Sequence, residues 1–138
     1  MSTVPVIKGW CPGALRPMLS GDGLVVRLRV PQGRLTPAQA RGVADLAQRY
    51  GNGVIDLSNR ANLQLRGIHP ERHEGLIDAL RALALIDVSE GAERRRNLMV
   101  TPFWQAGDDT DFLTQQLSAA ARSHTLPDVS SKFGYAVD

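Results

Sequence analysis

The sequence is short of several things, and each shortage excludes a class of protein. It holds a single cysteine, Cys11, in 138 residues. A disulfide framework or a four-thiolate metal site within the chain is thereby excluded, and a reducing compartment is the simplest setting. No apolar run approaches the roughly 20 residues that span a bilayer. Met1 to Trp10 lacks the basic head and long apolar run of a secretory signal. A cytoplasmic protein with no membrane partner is expected. Charge of one sign is lacking too: 16 basic residues face 14 acidic ones for a net +2, so net charge does not call for nucleic acid. Aromatic residues make up only 5% of the chain. There is no low-complexity segment.

What is present is a hydrophobic fraction of 43%, enough for the core of one ordinary domain, and a clustering of arginine. The central stretch is Asp56 to Gly67. Leu63 and Leu65 alternate with Asn62, Gln64 and Arg66, and Arg60 shares the polar parity. Side chains on a strand repeat their direction every two residues, so these four polar groups line one face. That set carries two fixed positive charges, two amides and no negative charge. Leu24 to Val30 is a second such strand: Leu24, Val26, Leu28 and Val30 form one face, and Arg27 and Arg29 share the other with Val25. Guanidinium presents a planar fork suited to carboxylate or phosphate oxygens. Residue types alone leave two readings open, a polyanion site or a solvated basic face with scattered surface pairs.

Residues 1–22, rich in glycine and proline, are expected to be an irregular arm anchored by Trp10. Thr36, Pro37 and Gln39 spell a capped helix start, with Ala40, Val43, Ala44, Ala47 and Tyr50 on its apolar face and Gly51 as a left-handed stop. Val54–Leu57 and Asn62–Arg66 predict a hairpin. Pro70 opens a helix using Leu76, Ile77, Leu80 and Leu83, and 84–88 is a short extended piece. The order β-α-β-β-α predicts an α+β unit, two helices covering one face of a three-stranded, largely antiparallel sheet. Beyond Gly91 the pattern predicts a basic loop through Arg94, Arg95, Arg96 and Asn97, a strand from Leu98 to Trp104, a helix burying Phe112, Leu113, Leu117, Ala120 and Ala121, and a strand over 132–138 that suggests a docked or truncated end.

Other chemistries fit less well. His69 precedes Pro70, so His69 and His73 do not share a helix face and lack a third ligand. Gly21-Asp22-Gly23 and Gly51-Asn52-Gly53 do not join a strand to a helix as a phosphate loop would. Asp108, Asp109 and Asp111 suit a helix N-terminus better than a calcium loop. Cys11 has no sequence-local His or Asp to make it a nucleophile.

The runs Leu24–Gly33 and Leu57–Ile68 resemble the ferredoxin-like half-domain of nitrite and sulfite reductases. Arg95-Arg96-Asn97-Leu98-Met99-Val100 is similar to the strand opening that family's haem/Fe-S-type catalytic domain, and Leu126-Pro127 with Lys132-Phe133 to its later lysine-bearing strand. Gly9-Trp10-Cys11-Pro12-Gly13, Pro17-Met18, Gly21-Asp22-Gly23 and the 132–138 ending look like the precorrin-3B synthase branch of the family.

The resemblance implies three segments: an arm (1–22), the half-domain (23–88) and the truncated start of the α/β catalytic domain (89–138). It implies a carboxylate-rich tetrapyrrole as ligand. Arg60, Arg96 and Lys132 would take catalytic roles, and Arg27, Arg29, Asn62, Gln64, Arg66 and Asn97 would bind the tetrapyrrole. In that branch the reaction is oxygen-dependent hydroxylation of precorrin-3A with lactone formation, for aerobic cobalamin biosynthesis, drawing on O2 and an electron donor. The family's second lysine falls on Gly134, which fits sirohaem-dependent sulfite or nitrite reduction less well. The family's [4Fe-4S] cluster and its iron belong to a longer enzyme, since the four cysteines are absent here. An N-terminal part, inactive alone, is therefore expected, and it would pair with the missing second half-domain or form a homodimer. A non-enzymatic RNA-binding ferredoxin-like module is the contrasting reading, but Asn62, Gln64 and Arg66 offer no stacking aromatics.

Overall fold

The computed structural model describes residues 9–138, so the part of the expected arm before Gly9 lies outside the described residues. Four strands form one antiparallel sheet in the order β1-β2-β4-β3: β1 (Met18–Ser20), β2 (Gly23–Leu28), β3 (Ile55–Leu57) and β4 (Leu63–Ile68). Helices α1 (Pro37–Tyr50) and α2 (His73–Ala82) follow β2 and β4. The β-α-β-β-α order and the β3–β4 hairpin agree with the pattern of the sequence. The extra strand is β1. It lies inside the stretch expected to be irregular, because Gly21-Asp22 folds Met18–Ser20 back onto β2, with Ser20 opposite Gly23.

The alternation in β2 and β4 separates two faces. Val26, Leu28, Leu65 and Ile68 point into the core, where they meet Val43, Leu46 and Ala47 of α1 and Leu76, Ile77 and Leu80 of α2. Full burial of a leucine or isoleucine contributes about 1.5–3 kcal/mol. The stability of this unit therefore comes from the helix-covered face, which leaves the opposite face free to carry charge.

Helix α1 starts as the sequence predicts. The Thr36 hydroxyl accepts from Gln39 N at 3.1 Å, and the Gln39 side chain accepts from Thr36 N at 2.9 Å. Its buried stripe differs from expectation: Ala40 and Ala44 are exposed and Leu46 is buried. Gly51 is extended (φ −134°), and the left-handed turn falls on Gly53 (φ 82°). Gly51 serves close approach instead, since a Cβ there would lie 2.4 Å from the Arg66 carbonyl oxygen.

The last third departs further from expectation. Residues 84–88 form no strand, and the first part of the expected basic loop, Arg94 and Arg95, belongs to helix α3 (Glu90–Arg95), capped by Ser89, while Arg96 and Asn97 remain irregular. Strand β5 is confined to Leu98–Val100 and β6 to Tyr135–Val137, and the two pair in parallel. Parallel neighbours need a crossover, which α4 (Asp109–Arg122) supplies. Helix α4 turns Asp111, Thr114, Ser118 and Ala121 inward, leaving Phe112 61% and Leu113 49% exposed. The small inward side chains let the helix lie close. A clamp joins this unit to the first: Trp104 Nε1 donates to Gln32 O (3.1 Å), Gln32 Nε2 to Asp111 Oδ1 (2.6 Å), and the Arg34 guanidinium lies 3.8 Å over the Trp104 ring.

Candidate functional site

The sheet face away from the helices carries the polar residues. Arg27 stands opposite Gln64 across the β2–β4 pair, and Gln64 opposite Asp56 across β3–β4. Hydrogen bonding fixes the Gln64 amide with its oxygen toward Arg27, accepting from Nη2 at 2.8 Å and Nε at 3.2 Å. Burial lowers the pKa of Arg27; the neighbouring charge of Arg60 adds to this and Cys11 opposes it. The face is not free of negative charge, as β4 alone suggested. Arg66 Nη2 lies 3.3 Å from Asp22 Oδ1, and Arg66 Nη1 lies 3.7 Å from Asp56 Oδ2. Both acids come from neighbouring segments that strand parity does not relate to Arg66. Asn62 is 5% exposed, and its Nδ2 donor has no partner among the described residues.

Arg60 sits in the β3–β4 connection, which is held by Ser58. The Ser58 hydroxyl accepts from Asn62 N (3.2 Å) and Arg60 N (3.4 Å), and Ala61 N donates to Ser58 O (3.1 Å). Asn97, at the start of β5, donates from Nδ2 to Phe133 O (2.9 Å) and accepts from Tyr135 N (2.9 Å), so it fixes the entry to β6. The result is a depression of about 140 Å³ lined by Arg60, Asn97, Met99, Lys132, Gly134, Tyr135 and Ala136. Neither Arg60 nor Lys132 forms an ion pair among the described residues. Gly134 has little room for a side chain. A Cβ on Gly134 would come 2.8 Å from Asn97 Nδ2 and 3.1 Å from Asn97 O.

Arg29 and Arg96 are placed differently. Arg29 is 7% exposed and donates from Nη1 to the carbonyls of Glu93 and of Arg94, the latter at 3.0 Å. Burial lowers its pKa; the carboxylate of Glu93 opposes this, and the charges of Arg96 and Arg27 reinforce it. Arg96 forms a buried fork with Asp87: Nε to Oδ1 at 2.9 Å, Nη2 to Oδ2 at 2.9 Å, and Nη2 also to Arg29 O at 2.7 Å. These two arginines tie α3 and the segment before it to the end of β2.

A second cavity, about 190 Å³, lies between Trp10–Gly13 and the loop at Val129–Ser131, with Arg16, Arg29, Glu90, Glu93 and Arg94 in its walls. Glu93 is 6% exposed, and its carboxylate accepts from Ala14 N (2.6 Å) and Leu15 N (3.0 Å). Burial pushes its pKa up, against the pull of those two donors and of Arg29. Sequence reasoning missed Glu93, Asp87, Asp22, Asp56 and Ser58. Only Ser58 carried a local signal, as the turn residue preceding Arg60. Among the described residues no three His, Cys, Asp or Glu side chains converge as a metal-binding group, and no helix is long and apolar enough to cross a membrane.

An antiparallel sheet with two helices on one face and a cationic polar face opposite defines a ferredoxin-like α+β half-domain. Residues 16–83 match the family model described as the nitrite/sulfite reductase ferredoxin-like half domain, and this part of the chain belongs to that family. The chain is similar to a precorrin-3B synthase of Sinorhizobium sp, 41% identical over 81 residues, or 56% of this chain and 18% of that protein. It is also similar to a ferredoxin–nitrite reductase of Leptolyngbya laminosa, 35% identical over 105 residues, covering 75% and 20%. A sulfite reductase [NADPH] hemoprotein beta-component of Shouchella clausii matches at 36% over 78 residues, covering 56% and 14%. The chain thus spans a fifth or less of the length of these relatives.

Proposed function

We propose that this chain supplies the anion-holding wall of a precorrin-3B synthase-like oxidoreductase acting on a carboxylate-rich tetrapyrrole, precorrin-3A in the reading the sequence suggests. The observation that carries the proposal is the meeting of Arg60, Asn97 and Lys132 around one depression, its two cations without an ion pair among the described residues, with the charge of Arg60 felt at Arg27 of the Arg27–Gln64 pair. Fixed cations held by short loops and a strand pairing can orient and neutralise peripheral carboxylates without reorganising. In this proposal Arg60 and Lys132 contact the anion, while Arg27, Gln64, Asn62 and Arg66 extend the wall. Asn97 shapes it, and Arg29 and Arg96 support it from behind.

The residues fit a tetrapyrrole's carboxylates. They do not fit the family's [4Fe-4S] cluster, for which one cysteine cannot supply four thiolates. Hydroxylation and lactone formation, with O2 and an electron donor, would therefore need residues beyond this chain, and the second half-domain or a second copy of the chain is the partner the reading calls for. Reduction of sulfite or nitrite is the second reading, favoured by the length of the match to the nitrite reductase. The crowding at Gly134 speaks against the extra cation that this chemistry uses in the family.

Titration of the chain with uroporphyrin, an octacarboxylate whose Soret band reports binding, tests the proposal. Losing one charge-assisted contact costs about 1.5–3 kcal/mol, so Arg60→Ala and Lys132→Ala should each weaken binding roughly 10- to 100-fold with an unchanged circular dichroism spectrum. Undiminished binding by both variants, or equal displacement by single-stranded RNA, would refute the reading.

A further inference from the structure

The stretch Trp10–Arg16 reaches the cationic face from outside the sheet. Gly13 N donates to Arg16 O (2.9 Å), and Gly13 O accepts from Arg27 N (3.1 Å), which seats the turn against the strand carrying the wall. The His73 ring bonds Ala14 O at 2.8 Å. The strongest tie is the Glu93 carboxylate, which takes one N–H on each oxygen. Such paired charge-assisted bonds are directional, and a buried carboxylate keeps them only where the donors are fixed. Gly13 makes the approach possible, because a Cβ there would sit 1.7 Å from Glu93 Oε1. Beyond the clasp, Trp10 and Cys11 line the 190 Å³ cavity together with Arg29 and Ser130. The Nε of Arg29, within a side chain that is 93% buried by its 7% exposure, has no partner among the described residues.

We infer that Trp10–Arg16 is a strap bounding the cationic wall at Arg27, on the side of the 190 Å³ cavity and apart from the Arg60–Lys132 depression, and that Glu93 is the positioning residue that seats it. The strap's ligand rests on the tetrapyrrole reading above; its seating by Glu93 does not. Glu93 touches no ligand. It sets where Trp10 and Cys11 stand relative to Arg27.

Cys11 is the chain's one thiol and is half-buried, so its alkylation by neutral iodoacetamide reports the strap alone. Glu93→Gln leaves one strap N–H facing an amide donor, and Gly13→Ala forces the turn and the Glu93 carboxylate apart while keeping the carboxylate in the chain. Both should raise the alkylation rate about tenfold without ligand, while Arg81→Ala, at the exposed end of α2 opposite His73, should not. Rates within twofold of the unmodified chain in both variants would overturn the seating role. Saturating uroporphyrin should slow alkylation at least fivefold in the unmodified chain and much less in the two variants. Porphyrin that binds without protecting Cys11 would overturn the strap's place in the site. Porphyrin that does not bind at all would overturn the strap's ligand together with the proposed function, leaving the seating to the ligand-free rates.

Discussion

Removing the Asp87 carboxylate is the sharpest test of how the two halves of the chain are joined. The Asp87 and Arg96 side chains are 5% and 6% exposed. The guanidinium makes its fork to Asp87 and one bond to Arg29 O, which pins the segment before α3 to the end of β2. Asp87→Ala leaves a buried cation without its counter-charge, a loss of about 3–5 kcal/mol. For a chain of this length roughly 3 °C of melting temperature goes with each kcal/mol, so a fall of about 10–15 °C is expected by calorimetry, with a matching drop in urea midpoint. The double variant Asp87→Leu/Arg96→Met removes both charges together and should recover most of that loss, because an apolar pair of similar volume replaces a buried ion pair at little cost. A single-variant loss below about 1 kcal/mol, or no recovery in the double variant, would show that Arg96 is solvated and that the brace is not formed as described.

Two further outcomes follow from burial and from charge. Leu76→Ala, at a side chain with 0% exposure, should cost about 2–5 kcal/mol in urea unfolding, whereas Phe112→Ser, 61% exposed on α4, should stay within about 0.5 kcal/mol; the reverse order would mean that the inward face of α4 is misassigned. The carboxyl of Asp111 is held below its unfolded value of 3.8 by Gly107 N–H, then by Gln115 and Gln32. The stability it contributes is therefore present above that value and lost as pH falls through the lower folded value. Between pH 5 and pH 2 the urea midpoint of Asp111→Asn should fall less steeply than that of the unmodified chain, and parallel slopes would contradict the assignment.

The parts of the fold legible in the sequence were those written in local periodicity. The capping box at Thr36 and the alternation through β2 and β4 gave elements and faces directly. What stayed hidden depended on partners distant in sequence. The six residues of α3 read as a run of charge because Arg95 and Glu93 are buried by contacts to Ala121 and to Ala14 and Leu15, which no window around them contains. On α4 the expected face holds at Ala121, which is buried, and fails at Phe112 and Leu113, because apolar residues mark a core only when the opposing surface has room for them, and here a close approach selects Thr114 and Ser118. At the site, strand parity grouped Arg27, Gln64 and Arg66 correctly on one face. It could not say that Arg66 is held by Asp22 and Asp56, or that Arg96 turns toward Asp87.

The clasp on Glu93 also has a temporal side. Its donors and its acceptor lie 79 and 78 positions apart in the chain, and contacts of such long range form late, after the loop between them has closed. On a ribosome, Ala14 emerges well before Glu93 and waits through the synthesis of the whole β-α-β-β-α unit. Until α3 follows, Trp10 and the neighbouring basic strands remain uncovered. On the proposed function, premature capture of a polyanion by the unfinished sheet is a hazard of assembly, and the order of synthesis makes strap closure a late step.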